Sequence, residues 1–442
     1  MRETLSSPRW CRAPLALAAW ALLAATPLMA QPVAEPAAMA TSAPAALDPV
    51  LQGVLPAEAP VRDVLTQSPA VHAADAGIAG AQARARRLAV GPYEWNARAA
   101  IDHRRERGGD RFMEQEIGLE RTLRWPGKAE ADQRLGEQTR RVGELARADA
   151  WHEAARMLLA DWFEALREAR AATVWRAQAE LAAQQADTVR KRQRAGDAAR
   201  LDTLAADAEQ ARTEGAAARA ASRAAALAEA LARRYPGLPP LPRTEATAAQ
   251  PLPAALNAAQ WVERILADNH ELELAQANAA LARQQAERAR LDRRGDPTVG
   301  MRVARERDGQ ERVFGVYASL PLGSAGREAD LAAALADADK AEQQALLARR
   351  RIEADTWRLA SLDQAVRADW ERQAAARLAT QQSAELMARA YSLGEASLAE
   401  VLQARRLALD AALATDAAWL DALQSRARLL LDTHQLWGLQ SH

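Results

Sequence analysis

Cysteine is almost missing from this chain of 442 residues: the only one, Cys11, precedes an apolar run near the N-terminus. Once that segment is removed, disulfides and thiolate metal sites are excluded. A net charge is missing too, because 58 basic side chains balance 58 acidic ones. That balance gives no reason to expect nucleic acid as a partner. No apolar run after the N-terminal one approaches the ~18 residues of a transmembrane helix. There is no Gly-rich phosphate loop, nucleophile elbow or paired-cysteine site, so no enzymatic activity and no cofactor are expected. His72, His103, His152, His270 and His434 are scattered, without i, i+3 or i, i+4 partners of ligand type, and His442 is terminal. Each reads as polar surface or satisfied packing, so no metal site is expected.

The N-terminus reads as a secretory signal over 1–30. Arg2, Arg9 and Arg12 form its charged region, Leu15 to Ala25 its apolar region, and Leu28-Met29-Ala30 its cleavage site. Cys11 lies on the wrong side of the apolar region for a lipoprotein anchor. An Ala/Pro-rich, mostly irregular leader is expected over 31–60.

The rest of the chain is organised around a hairpin tip that occurs twice. At Ala388 to Ala411 (ARAYSLGEASLAEVLQARRLALDA) a long apolar-periodic helix stops at Gly394. Another starts near Ser397, with Glu400 three residues on as a capping box. At Arg190 to Ala211 the same design recurs, with Gly196 matching Gly394, Asp202 matching Glu400 and Leu204 matching Leu402. A period this long means two similar halves, 61–235 and 255–436, joined by a Pro-rich linker over 236–254 and followed by a tail over 437–442.

Each half has one order of elements. In the first, a helix with an interruption at Pro69 runs to Val90. Two period-two segments over 93–124 then flank Arg107-Gly108-Gly109-Asp110, a hairpin with its turn. On its second strand Met113, Ile117, Leu119 and Leu123 share one face and Glu114, Glu116, Glu120 and Thr122 the other. Trp95, Ala97, Ala99 and Ile101 share a face of the first. One greasy and one charged face is the pattern of a barrel strand in a bilayer, and equally of a soluble half-buried hairpin. Tyr93, Trp95 and Trp125 sit where an interfacial girdle would lie.

No breaker then occurs from about 128 to 195, a helix of ~100 Å. It carries Leu145, Leu159 and Leu166 in heptad register, widened by Trp151, Leu158 and Trp162. A return helix follows over about 200–233. In the second half a helix is expected over 255–294, strands at about 298–320, and a long helix at about 326–393. Leu331, Ala338, Ala345, Ile352, Leu359 and Val366 are spaced by sevens on that helix. Four strands are too few to close a barrel, so strands in a membrane would need other copies of the chain to cover their edges.

The organisation resembles the TolC family of outer-membrane efflux proteins over nearly the whole chain after the signal. The most specific matches are Tyr391-Ser392-Leu393-Gly394 with Glu400-Val401-Leu402, and Gly196 with Asp202 and Leu204. The Pro-Tyr-Glu-Trp run at Pro92 to Trp95, and Leu119-Glu120-Arg121 before Trp125-Pro126-Gly127-Lys128, look most like the heavy-metal efflux branch.

The resemblance implies a mainly α fold with a small transmembrane β-barrel part, assembled as a homotrimer. Three copies would make a twelve-stranded barrel among outer-membrane lipid, continued by a helical tunnel in the periplasm. The tip would meet a periplasmic adaptor and an inner-membrane pump of the resistance-nodulation-division type, forming an exit duct for heavy-metal cations. It further implies that Asp202 and Tyr391 lie where closing hydrogen bonds form. Ala396 stands where the family's Arg partner does, which removes one charge-assisted bond. Glu400 matches an inward-facing acidic position, and Gln403 weakens the ring expected there; ordinary capping is the plainer role for Asp202 and Glu400. Gly196 and Gly394 permit the turns, and Arg194 and Leu393 are adaptor-contact candidates.

Three other readings compete. A drug or type I secretion channel would share the fold. A periplasmic adaptor should carry a single hairpin within a compact β-rich region. A structural coiled coil or adhesin would have no use for matched strand pairs.

Overall fold

In the structure, a computed structural model, residues 49–242 and 256–438 are described. The expected signal, most of the leader, most of the linker and the end of the tail lie outside them. No helix of the described residues is long and apolar enough to cross a membrane.

Helices α1 (Pro49–Val54), α2 (Glu58–Thr66) and α3 (Pro69–Val90) come first. The last stretch of the expected irregular leader is thus helical. Leu51, Val54 and Leu55 are buried against the same core as Val61, Val64 and Leu65, and an apolar anchor of that size orders a short helix. Ser68 and Pro69 start α3, with Pro in the first turn where its missing N–H costs nothing. Gly91, at φ +89°, ends it.

Strands β1 (Trp95–Arg105) and β2 (Arg111–Thr122) lead to the long helix α4 (Lys128–Arg194), which α5 (Arg200–Arg234) follows. The second half opens with α6 (Ala258–Ala267) and α7 (His270–Asp292), where the sequence predicts one helix. Asp268 leaves helical geometry, and the Asn269 side chain accepts the Leu272 N–H at 2.9 Å, capping a new helix. Strands β3 (Thr298–Glu306) and β4 (Glu311–Ser319) follow, then α8 (Ala325–Ser392) and α9 (Leu398–Asp432). At 67 and 68 residues, α4 and α8 each extend ~100 Å.

The main core lies midway along the helices. Trp151, Leu158, Leu159, Trp162, Phe163 and Leu166 of α4 meet α1–α3, α5 and the last turns of α9 there, and Trp162 donates its indole N–H to the Val54 carbonyl at 3.0 Å. Toward the strands the helices approach through small residues: a Cβ on Gly136 would come within 3.2 Å of Ala85. Burial separates the long helices. Of α4, 19 residues are buried; of α8, only six. Leu347, Leu362, Leu378 and Leu386 of α8 are exposed. The α8 heptads thus have a partner on one side only.

Candidate functional site

The four strands form one antiparallel sheet in the order β1-β2-β3-β4, so both outer edges are open. Register places Ala99, Ile117, Val303 and Phe314 in one cross-strand row, and Ala97, Leu119, Met301 and Val316 in the next. Opposed residues share a face, so the alternation of each strand sums to one apolar surface. Ile117, Phe314 and Val316 are 70–75% exposed on it. The opposite face pairs charges: Arg302 donates to Glu116 at 2.9 Å, and the Tyr317 hydroxyl donates to Glu120 at 2.5 Å.

Where sheet becomes helix, the two halves lock together. Lys128, 2% exposed, places Nζ 2.9 Å from both Asp292 and Asp296 and donates to the Arg294 carbonyl at 2.8 Å. Asp296 also accepts from the Tyr93 hydroxyl at 2.6 Å and the Trp125 N–H at 3.0 Å. Burial and the Asp296 carboxylate push the Tyr93 pKa up to about 12. Burial works against ionised Asp296, but its bonds from Tyr93, Lys128 and Trp125 hold it below the usual carboxylate range. Beside it, Asp132 accepts from Arg124 at 2.8 Å and Arg288 at 2.6 Å, and Arg124 also binds the last carbonyls of α3. Gly295 is obligatory, since a Cβ there would lie 2.4 Å from the Pro321 carbonyl oxygen. Trp125 and Lys128 stood out in sequence only as a joint; their partners in the other half did not.

At the far end the two helical hairpins turn by the same device. Gly196 N–H donates to Gln193 O and Asp197 N–H to Arg192 O; Gly394 N–H donates to Tyr391 O and Glu395 N–H to Ala390 O. Both are Schellman caps with glycine at φ +83°. The following N-caps differ. Ser397 and Glu400 form the full capping box, with Glu400 Oε2 accepting the Ser397 N–H at 2.7 Å, which lowers the Glu400 pKa. At the first tip the cap is Ala199, which has no side chain to offer Asp202.

The tips pack against one another through Ala186, Val189, Ala206, Leu398 and Leu402, with Tyr391 at the margin. Among the described residues no hydrogen bond joins Asp202 to Tyr391. The Tyr391 ring instead lies 5.0 Å from the Arg192 guanidinium. Glu400 and Gln403 line an open groove of about 460 Å³ with Met387 and Leu407. Arg194 and Leu393 are exposed at the turns.

Farther along, buried Glu209 of α5 accepts from Arg406 of α9 at 2.7 Å and from Arg212 at 2.6 Å. Burial would raise its pKa, but the two guanidiniums hold it down. Glu209 is absent from the candidates read in sequence, because nothing local marks a carboxylate whose partner is 197 residues away.

No family model matches the sequence, and no curated protein matches it. Solved structures do match. The outer membrane protein VceC from Vibrio cholerae is 19% identical with a TM-score of 0.69, covering 86% of this chain and 95% of its own. The CmeC outer membrane channel of Campylobacter jejuni is 12% identical with a TM-score of 0.71, covering 87% and 86%. CusC is 16% identical with a TM-score of 0.68, covering 86% and 91%.

This chain shares the fold of these three proteins.

Within that fold, the duplicated halves and the strand-to-helix order agree with the architecture expected from sequence. The histidines do not. Read as scattered, three of them converge midway along α4, where the α6–α7 break and the end of α9 meet it. Ring centroids of His270 and His434 are 4.5 Å apart, those of His152 and His434 5.2 Å, and those of His152 and His270 6.3 Å. Burial lowers the pKa of His152 and of His270, and for His270 the neighbouring His434 lowers it further. Spacing within a single helix does not reveal this convergence, because His152 lies on α4, His270 on α7 and His434 two residues past the end of α9.

Proposed function

We propose that the chain is the outer-membrane exit duct of a tripartite efflux system, working as a homotrimer with its helical part in the periplasm. The observation that carries this reading is the sheet: one face apolar and exposed, the other charged and internally paired, two edges open, and each strand pair continued from the same end by a ~100 Å helix. An open edge in lipid leaves backbone groups unsatisfied. Closure by two further copies satisfies them, turns the Glu116–Arg302 face inward and covers the bare side of α8. Such a duct does no covalent chemistry; its work is to hold a lined passage and to open at the tip.

Gly196 and Gly394 shape that tip, Asp202, Tyr391, Glu400 and Gln403 line or close it, and Arg194 and Leu393 are offered to a periplasmic adaptor. The adaptor would join the duct to an inner-membrane pump of the resistance-nodulation-division type. Heavy-metal cations are the favoured cargo. Pro92 to Trp95 and Leu119 to Arg121 resemble the heavy-metal branch, and CusC is among the structures that share the fold.

Growth of a deletion strain on Zn, Cd, Co, Ni, Cu and Ag salts and on unrelated drugs tests the cargo. Hypersensitivity confined to a few metals is expected. Broad drug sensitivity with unchanged metal tolerance would assign a general exit channel instead. Solubility without detergent, or a monomeric mass in detergent, would remove the duct reading altogether.

A further inference from the structure

We propose that Asp268, His270 and His434 form a binding site for one first-row divalent cation of the Zn²⁺, Co²⁺ or Ni²⁺ class. One ligand atom from each side chain lies within 4.8 Å of the other two. Two imidazoles and a carboxylate suit a borderline cation, and three protein ligands leave a position for water. This inference stands apart from the export reading, because the site binds its ion whatever passes through the duct.

Four features of the surroundings suit the cluster to a ligand. First, His434 Nε2 donates to the Asp268 backbone carbonyl at 2.7 Å. A carbonyl only accepts, so the proton is on Nε2 and the lone pair on Nδ1. A hydrogen bond of this kind on the other ring nitrogen orients a ligating imidazole. Second, the turn that ends α9 fixes where the ring sits: His434, at φ +57°, occupies the left-handed position of a Schellman cap, its N–H donating to Leu431 O and the Gln435 N–H to Leu430 O. Third, His270 Nδ1 is enclosed without a hydrogen-bond partner. The nearest carboxylate oxygen, from Glu273, is 3.6 Å away, beyond hydrogen-bond reach.

The fourth feature is the access and charge around the cluster. Asp268 is exposed and the two histidines half-buried, which leaves the ion a path from solvent. His152 closes the inner side, its Nε2 held 3.1 Å from Asp432, whose charge is already balanced by Arg156 and Arg428. The ion would clamp the break between α6 and α7 to the residue just past the end of α9, at the height of the main core.

The test is titration of tag-free, detergent-purified full-length protein, stripped with chelator, with Zn²⁺ by calorimetry and Co²⁺ by visible absorption. About one ion per chain is expected, with d–d bands of a low-coordinate Co²⁺ site. His270→Gln and His434→Asn should each weaken binding more than tenfold, Asn being tolerant of the left-handed backbone. Asp268→Asn should weaken it less. His103→Gln, on β1 and outside the cluster, should leave it unchanged, and circular dichroism with oligomer mass confirms that each variant is folded. Wild-type protein that takes up no Zn²⁺ at micromolar concentration overturns the proposal. So do folded His270→Gln and His434→Asn variants that bind like wild type.

Discussion

Asp432 shows how one carboxylate can order the middle of a long helical protein. It accepts from His152 at 3.1 Å, from Arg156 at 2.9 Å and from Arg428 at 3.0 Å. Burial alone would raise its pKa, yet the His152 bond and the two guanidiniums outweigh burial and hold the carboxyl far below the usual range. His152 moves the other way: burial lowers its pKa more than the Asp432 bond raises it, so the contact at neutral pH is a hydrogen bond to a neutral imidazole rather than an ion pair. Unfolded imidazole takes up a proton below about pH 6.5, while the folded one resists. The unfolded state therefore binds more protons, and stability falls as pH drops through that window. The contribution of Asp432 persists to much lower pH, because its folded value is depressed, and is lost as pH falls through that value. Melting in detergent with chelator should thus show a lower Tm at pH 5.5 than at pH 7.5, with a shallower difference in His152→Gln. Equal pH dependence in wild type and variant would show that His152 is not the responsible group.

Among the elements, the two hairpin tips are a natural experiment. Both end a long helix in a glycine Schellman cap, and each following helix opens with a carboxylate three residues past its cap. Only the second tip has the serine that completes a capping box. Ser397→Ala should cost about 1 kcal/mol in local stability, and Ala199→Ser should add up to about that much at the first tip, since Asp202 is already in place to reciprocate. Amide hydrogen exchange at residues 200–203 and 398–401 reads both effects. Unchanged protection in both variants would mean that packing through Leu398, Leu402 and Ala206, rather than capping, holds the tips. The same comparison bears on the gate. Glu400 is engaged by its own backbone, whereas Asp202 is left to reach another group, so the two acids are unequal candidates despite matching positions.

For the molecule as a whole, the open sheet and the half-covered α8 make the same demand. A single copy leaves Phe314, Val316 and Ile117 exposed on the sheet and Leu378 and Leu386 exposed on α8, and both surfaces are covered if copies associate around a common axis in a membrane. Val316→Arg places a charge on the apolar face, at a cost of ~2–4 kcal/mol per chain if that position lies near the bilayer midplane. The expected result is loss of the assembled form from the outer-membrane fraction, with Arg98→Ala, on the opposite face, assembling normally. Wild-type assembly of Val316→Arg would mean that this face does not meet lipid.

What could be read from the chain was whatever repeats over short distances. Alternation along β1 to β4, heptads on α4 and α8, and the glycine-and-cap chemistry of the tips arise from neighbours within a few residues, so their pattern is written locally and their duplication is visible. The break at Asn269 was also marked, by an Asn followed by acidic residues, but the apolar periodicity on either side masked it. Folding alone decided which distant residues meet. Lys128 finds Asp292 and Asp296 in the other half, Glu209 finds Arg406, and His152 reaches Asp432 across 280 positions. Side-chain types at such separations carry no mutual signal, because their meeting depends on how far each helix runs and how it is rotated. The three histidines are the sharpest case: dispersed along the chain, they become neighbours only because one helix breaks at Asp268 and another ends at Asp432.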